Sequence, residues 1–278
     1  QGVAAQLAAE PSGDVIDVHM LGPPEKAHGT PRRALALYAS PVRELFQDKI
    51  NQFDLIILDG FENRQILPHS YLENIAGFVR RGGGLLLTAG PEFIGPGSSQ
   101  DTPEGDVLPA HVTPDQSSML VSRFRPTLTD TGRRHPVTAS LPGAPKAGAQ
   151  VNSATAVPGL WGPWYRALHP DSTHGEVLMN GPDTSPLLVL DRVDQGRIAL
   201  LLSDQIWLWS RGEDGGGPQS ELLRRISHWL MKEPELEEEQ LTASISANTL
   251  HITRHSVGTP AATTLTLTSP TGQSSTVP

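Results

Sequence analysis

Gly82-Gly83-Gly84-Leu85-Leu86-Leu87-Thr88-Ala89-Gly90-Pro91 is the stretch on which the fold turns. Glycine takes the left-handed backbone of a helix C-terminus without steric cost, so the three glycines stop a preceding helix. The run Leu85-Thr88 has no polar alternation, the pattern of a strand covered on both faces in a parallel sheet. Upstream, Pro68 opens a helix on which Leu72, Ile75 and Val79 share a stripe. Before it stands a second unalternated run, Leu55-Ile56-Ile57-Leu58, preceded by a helix that starts at Ser40-Pro41 and aligns Val42, Leu45, Phe46 and Ile50. Further back, Val3–Ala9 reads as the end of a helix and Val15–Leu21 as a strand, so the chain opens as a βα unit without its first strand.

Downstream, twelve prolines fall between residues 91 and 170, which predicts long connections and short edge strands such as Ser122–Thr129, forming the rim of a site. Periodicity resumes at Glu176–Met179 and Leu187–Val193, turns at Asp194-Gln195-Gly196 and returns as Ile198–Ser203, an antiparallel hairpin closing the sheet. Pro218 starts a helix whose Leu222, Leu223, Ile226, Trp229 and Leu230 form one wide apolar stripe. The acidic segment 233–240 reads as a linker after an α/β domain spanning 1–232. Residues 241–278 hold ten Thr and six Ser but one formal charge, Arg254. Alternation at Ala243/Ile245, Leu250/Ile252 and Leu265/Leu267 predicts about three strands of a partial β-sandwich-like domain, and the whole reads as a piece of a longer protein.

Composition narrows the function. With 21 Lys+Arg against 30 Asp+Glu, the 278-residue chain carries a net charge of −9, which disfavours nucleic acid as a partner. No apolar run approaches the roughly 20 residues that cross a bilayer. The absence of cysteine excludes thiol nucleophiles, thiolate metal sites and disulfides. The ten histidines show no HExxH or other tight spacing, so neither a metal nor a cofactor is expected.

The segments Phe53–Leu58, Gly82–Leu87, Arg134-His135-Pro136-Val137-Thr138 with Leu141-Pro142, and Gly196–Leu200 running through to Trp229-Leu230 resemble, in order and spacing, the class I glutamine amidotransferase-like superfamily. Within it they are similar to the ThuA-like and glutamine amidotransferase-like groups, over roughly residues 1–232. The resemblance implies a flavodoxin-like fold, a mostly parallel sheet sandwiched by helices. It also implies a larger, membrane-anchored bacterial protein whose membrane helices flank this part, and a periplasmic face is favoured because a cysteine-free chain is indifferent to an oxidising compartment. Active members of the superfamily carry a Cys on the turn after the strand matching Leu85–Thr88, activated by a His and a carboxylate. Here that turn reads Ala89-Gly90-Pro91, and Ser203-Asp204-Gln205 stands where the His belongs. A thiolate attack on glutamine is therefore not expected.

In open α/β sheets ligands bind beyond the carboxyl ends of the strands, which directs attention to Asp59, Ala89, Gly90, Glu92, Asp204, Gln205 and Arg211. Glu92 and Asp204 read either as paired carboxylates across one crevice, binding a cation or acting as acid and base, or as helix caps. Arg134 and His135 read either as a cation and imidazole aimed at the crevice or as a structural clasp. Trp207 and Trp209, two apart, share a face in an extended segment and would stack on a ligand, with core packing as the plain reading. Two functions stay open: a non-catalytic module binding a small molecule or a protein partner, and a hydrolase or transferase on a carbohydrate or amide using Glu92, Asp204 or His135. A structural spacer is the third.

Overall fold

The computed structural model describes residues 43–61, 68–96, 98, 100–144, 161–247, 249–256, 264–268 and 274–277. The expected helix end at 3–9, the strand at 15–21 and the helix start at Ser40-Pro41 lie outside them. The chain divides into two compact units, Gln1–Leu236 and Glu237–Pro278.

In the first unit the segment after Arg43 forms only a π turn, Glu44–Asp48, and a 3-10 turn, Ile50–Gln52, burying Phe46 and Ile50. The elements then run β1 (Leu55–Asp59), α1 (His69–Arg80), β2 (Gly84–Thr88), β3 (Ala110–His111), β4 (Met119–Phe124) and β5 (Thr127–Leu128). They continue with β6 (Trp164–Leu168), β7 (Ser172–Thr173), β8 (Glu176–Asn180), β9 (Pro186–Val193), β10 (Gly196–Leu201), α2 (Trp207–Ser210) and α3 (Gln219–Leu230). Six strands form the main sheet in the order β1-β2-β10-β9-β8-β5, and β3–β7 and β4–β6 are separate ribbons.

The expectation of a flavodoxin-like, mostly parallel sheet is overturned by the pairing. β1–β2 and β2–β10 are parallel, whereas β10–β9, β9–β8 and β8–β5 are antiparallel. The reason lies in the connections. A parallel neighbour needs a crossover of a dozen or more residues, and α1 supplies one between β1 and β2. Between β8, β9 and β10 the chain turns within a few residues, through Asp183 (φ 50°) and Thr184 (φ 63°), then Asp194 (φ 52°), so those strands can only reverse. β1, expected to be covered on both faces, is an edge among the described strands, and Leu55, Ile56 and Ile57 are half-buried.

Period-two alternation assigns the sheet faces. Leu85, Leu87, Val189, Ile198 and Leu200 join Leu72, Ile75, Phe78 and Val79 of α1, whereas Leu86, Leu188, Leu190, Ala199 and Leu201 join Leu222, Leu223, Ile226 and Trp229 of α3. α1 meets β10 at close range. A Cβ on Gly196 would overlap the carbonyl oxygens of Val79 and Gly83. The acidic segment is partly built into this unit: Pro234–Leu236 is a 3-10 turn, Leu236 packs on the core, and Glu233 Oε2 lies 2.6 Å from His228 Nδ1.

The second unit holds two hairpins, β11 (Glu239–Ser246) with β12 (Thr249–Ser256), and β13 (Leu265–Thr268) with β14 (Ser274–Val277). Ala243 pairs with Ile252 and Ile245 with Leu250 on one face, and Leu241, Ile245 and Leu250 are exposed.

Candidate functional site

β2 and β10 end side by side, and the chain beyond them supplies the site. Ala89 N–H donates to Leu201 O (2.8 Å), holding the two strand ends together. β6 runs alongside the extension of β10: Leu168 N–H donates to Leu202 O (2.8 Å), Ser203 Oγ to Arg166 O (2.8 Å) and Tyr165 N–H to Gln205 Oε1 (2.8 Å). A narrow crevice results, too tight to hold a water molecule, lined by Ala89, Gly90, Met119, Arg166, Ser203 and Asp204 among others.

Its chemistry is dominated by an ion pair inside the chain. Arg166 Nε donates to Asp204 Oδ1 (2.9 Å) and its Nη2 bonds Asp204 Oδ2, a two-pronged geometry that fixes both groups. The hydrogen bond to Asp204 pushes the Arg166 pKa further up, so the guanidinium stays charged. Glu92 lies on the 3-10 turn Pro91–Ile94 and accepts from Gly90 N–H at Oε1 (2.6 Å). Burial raises its pKa and Asp204 adds to the rise, while the Gly90 N–H and Arg166 oppose it. Gly90 is what lets the carboxylates approach: a Cβ there would stand 2.8 Å from Glu92 Oε2 and 3.1 Å from Asp204 Cβ.

The structure thus brings Ala89, Gly90, Glu92, Asp204 and Gln205 together, and adds Arg166, which sequence reasoning missed. Its signal was a single cation standing between Trp164 and Leu168 at two-residue spacing on a strand, hidden in a stretch read as Pro-rich rim. Asp59, at the end of β1, accepts from Thr88 Oγ1 (2.6 Å), and Thr88 Oγ1 also receives Gly60 N–H (3.0 Å), which stitches the ends of β1 and β2.

Other expected members sit elsewhere. His135 is fully buried, its Nδ1 accepting from Val137 N–H (3.2 Å) and its ring 6.0 Å edge-on from Trp229. Trp229 belongs with Arg197 at the amino end of β10, about seven residues and roughly 23 Å of strand from Asp204. Arg134 is exposed in the same 131–140 segment, which Arg225 clasps through Pro136 O and Ala139 O. This pair is therefore the clasp and not part of the crevice. Trp207 and Trp209 do not share a face, because they fall in the short helix α2, where residues two apart diverge by about 200°. Trp209 packs against Trp161 and Trp164 in the core, and Trp207 stays exposed with Arg211 5.1 Å above its ring.

Hydroxyl groups near this sheet edge are engaged inward. Ser203 donates to Arg166 O as above, and Ser185, 2.9 Å from His169 Nδ1, is only 4% exposed. Neither is presented as a nucleophile. Among the described residues no group of three or more His, Asp or Glu side chains is placed to hold a metal ion.

No protein-family model and no curated protein matches the chain. Among solved structures it is similar to cytoplasmic protein STM3548 from Salmonella typhimurium, with a TM-score of 0.52 and 19% identity over 69% of this chain and 78% of that one. It is also similar to cytoplasmic protein STM1381 from Salmonella typhimurium LT2, with a TM-score of 0.48 and 18% identity over 66% and 74%. A β-galactosidase from Rahnella sp. R3 has a TM-score of 0.38 and 14% identity over 83% and 32%. At these identities the first likeness concerns the fold alone, and the other two carry no argument. No helix among the described residues is long and apolar enough to cross a membrane.

Proposed function

We propose that the first unit is a non-catalytic, glutamine amidotransferase-like module that binds a small ligand or a protein partner at the crevice between β2 and β10. The observation that carries this reading is the Arg166–Asp204 pair beside Ala89-Gly90. Asp204 has one bond from the Arg166 guanidinium on each oxygen, so a reacting proton would have to compete with that cation for the carboxylate. The turn beside it offers Ala, Gly and Pro in place of a nucleophile, and His135 is a strand length away. A ligand enters by exchanging with the half-exposed Arg166 for Asp204 or by adding to the rim. On the sequence resemblance, the module is borne by a larger protein with membrane helices outside this chain and faces the periplasm; a pair of topology reporters fused at Glu237 of the full-length protein tests that placement.

The binding reading is tested by incubating the protein with glutamine and with nitrophenyl glycosides, and by a thermal-shift screen of small metabolites. We expect no ammonia or nitrophenol above the blank, and at least one ligand whose shift disappears in Asp204→Asn. Turnover that is lost in Glu92→Gln or Asp204→Asn would replace the binding module with a hydrolase.

A further inference from the structure

Residues 100–112 close on themselves through one side chain. Gln100 Nε2 donates to Phe93 O (2.9 Å) and to Val112 O (3.0 Å), and Gln100 Oε1 accepts from Val112 N–H (2.6 Å). This clamp ties both ends of the segment to the turn that carries Glu92. Inside it, Val107, Leu108, Ala110 and Val112 are buried in the α1-side core, and the turn Gly105–Val107 packs against α1. Among them lies Glu104, with zero exposure and no hydrogen-bond partner on either carboxyl oxygen. A carboxylate in that position has lost its hydration and gained nothing in return, whereas a neutral carboxyl there costs far less, although it too leaves its polar atoms unpaired.

We propose that residues 100–112 form a pH-sensitive flap, closed over a neutral Glu104 carboxyl and opened when that carboxyl loses its proton. The proposal goes beyond the binding reading and does not depend on it. Burial alone pushes the Glu104 pKa up, to about 8 from an ordinary 4.5. The charged and titratable groups on the elements around it are engaged elsewhere. Arg80 of α1 lies 4.0 Å from both Asp106 and Asp194, His111 of β3 is 3.9 Å from Asp171, and Glu92 is bonded to Gly90. None of these, nor Asp101 of its own segment, contributes to the displacement.

The sign follows from proton linkage. The closed state holds a proton up to about pH 8 that the opened, hydrated state releases near 4.5. The open-to-closed ratio therefore rises by up to about tenfold per pH unit across that window and levels off above it. Because Gln100 is bonded to Phe93 O, opening also loosens the turn beneath Glu92, so the crevice feels the same proton.

The test is amide hydrogen exchange between pH 5 and pH 9 on the wild type and Glu104→Gln. Intrinsic exchange speeds up by about tenfold per unit in both, so the ratio of wild-type to variant rates isolates the flap. We expect that ratio, for amides in 100–112, to climb by up to about tenfold per unit toward pH 8 and then flatten, and these amides to be less protected than those of α3 at every pH, because a flap opens while α3 stays folded. Equal slopes in the two proteins overturn the proposal, as does equal protection of 100–112 and α3 across the range, since the segment would then open only when the whole unit unfolds. If Glu104→Gln does not fold, Gln100→Ala decides. It should expose 100–112 at pH 5 with α3 still protected, and continued protection of the segment rules the flap out.

Discussion

Arg197 enters the interior at the amino end of β10 with 4% of its surface exposed, and it survives there because the end of α3 receives it. Its Nη1 donates to Trp229 O (2.7 Å) and its guanidinium lies 4.9 Å from the Trp229 ring centre, so one planar group satisfies a carbonyl near the negative end of a helix and stacks on an indole. A lysine has the charge without the plane. We expect Arg197→Lys to cost about 1–3 kcal/mol, read as a lower midpoint in urea unfolding at unchanged slope. At the opposite end of the sheet the decisive residue has no side chain. Gly90 has an ordinary backbone (φ −122°), so Gly90→Ala introduces crowding and no backbone strain, forcing the Glu92 carboxylate off the Gly90 N–H. The expected result is a small loss of stability, about 1 kcal/mol, with a disproportionate loss of any ligand-induced thermal shift.

α3 holds its sheet face through a stripe on which Leu222, Ile226 and Leu230 are wholly buried. Removing the Ile226 side chain beyond Cβ leaves a cavity between helix and strands, and Ile226→Ala should lower stability by about 2–5 kcal/mol in the same denaturation experiment. That stripe was legible from residues 218–230 alone, because five apolar residues at helical spacing have one consistent reading. So was the β9–β10 hairpin, from two apolar runs around Asp194-Gln195-Gly196. Strand direction elsewhere was not legible. Leu187–Leu190 and Leu85–Leu87 are equally unalternated, and both are covered on both faces, so hydrophobicity reports burial and leaves parallel and antiparallel pairing undistinguished. The site was half legible: the strand-end rule found Gly90, Glu92 and Asp204, which are near the ends of long runs. Arg166 reaches Asp204 from 38 residues away across a ribbon that no local pattern announces. Trp207 and Trp209 misled because a four-residue helix is too short to leave a period in the sequence.

At the scale of the whole molecule the two units differ in kind. The first has a sheet with a helix on each face, and the second has two two-stranded hairpins, an element of marginal stability in isolation. A chain ended after Leu236 should therefore keep a cooperative thermal transition within a few degrees of that of residues 1–278, measured by circular dichroism; loss of the transition would show that the units fold as one. The same architecture has a consequence for how such chains diverge. Gly196 faces two carbonyl oxygens at a distance that admits no side chain, so every descendant that keeps α1 against β10 must keep glycine there, whatever it binds. The crevice imposes no such demand on Arg166 and Asp204, which can be exchanged together or lost together. Across related genomes, invariance at 196 would mark shared ancestry of shape, and paired drift at 166 and 204 would mark where one lineage's task parts from another's.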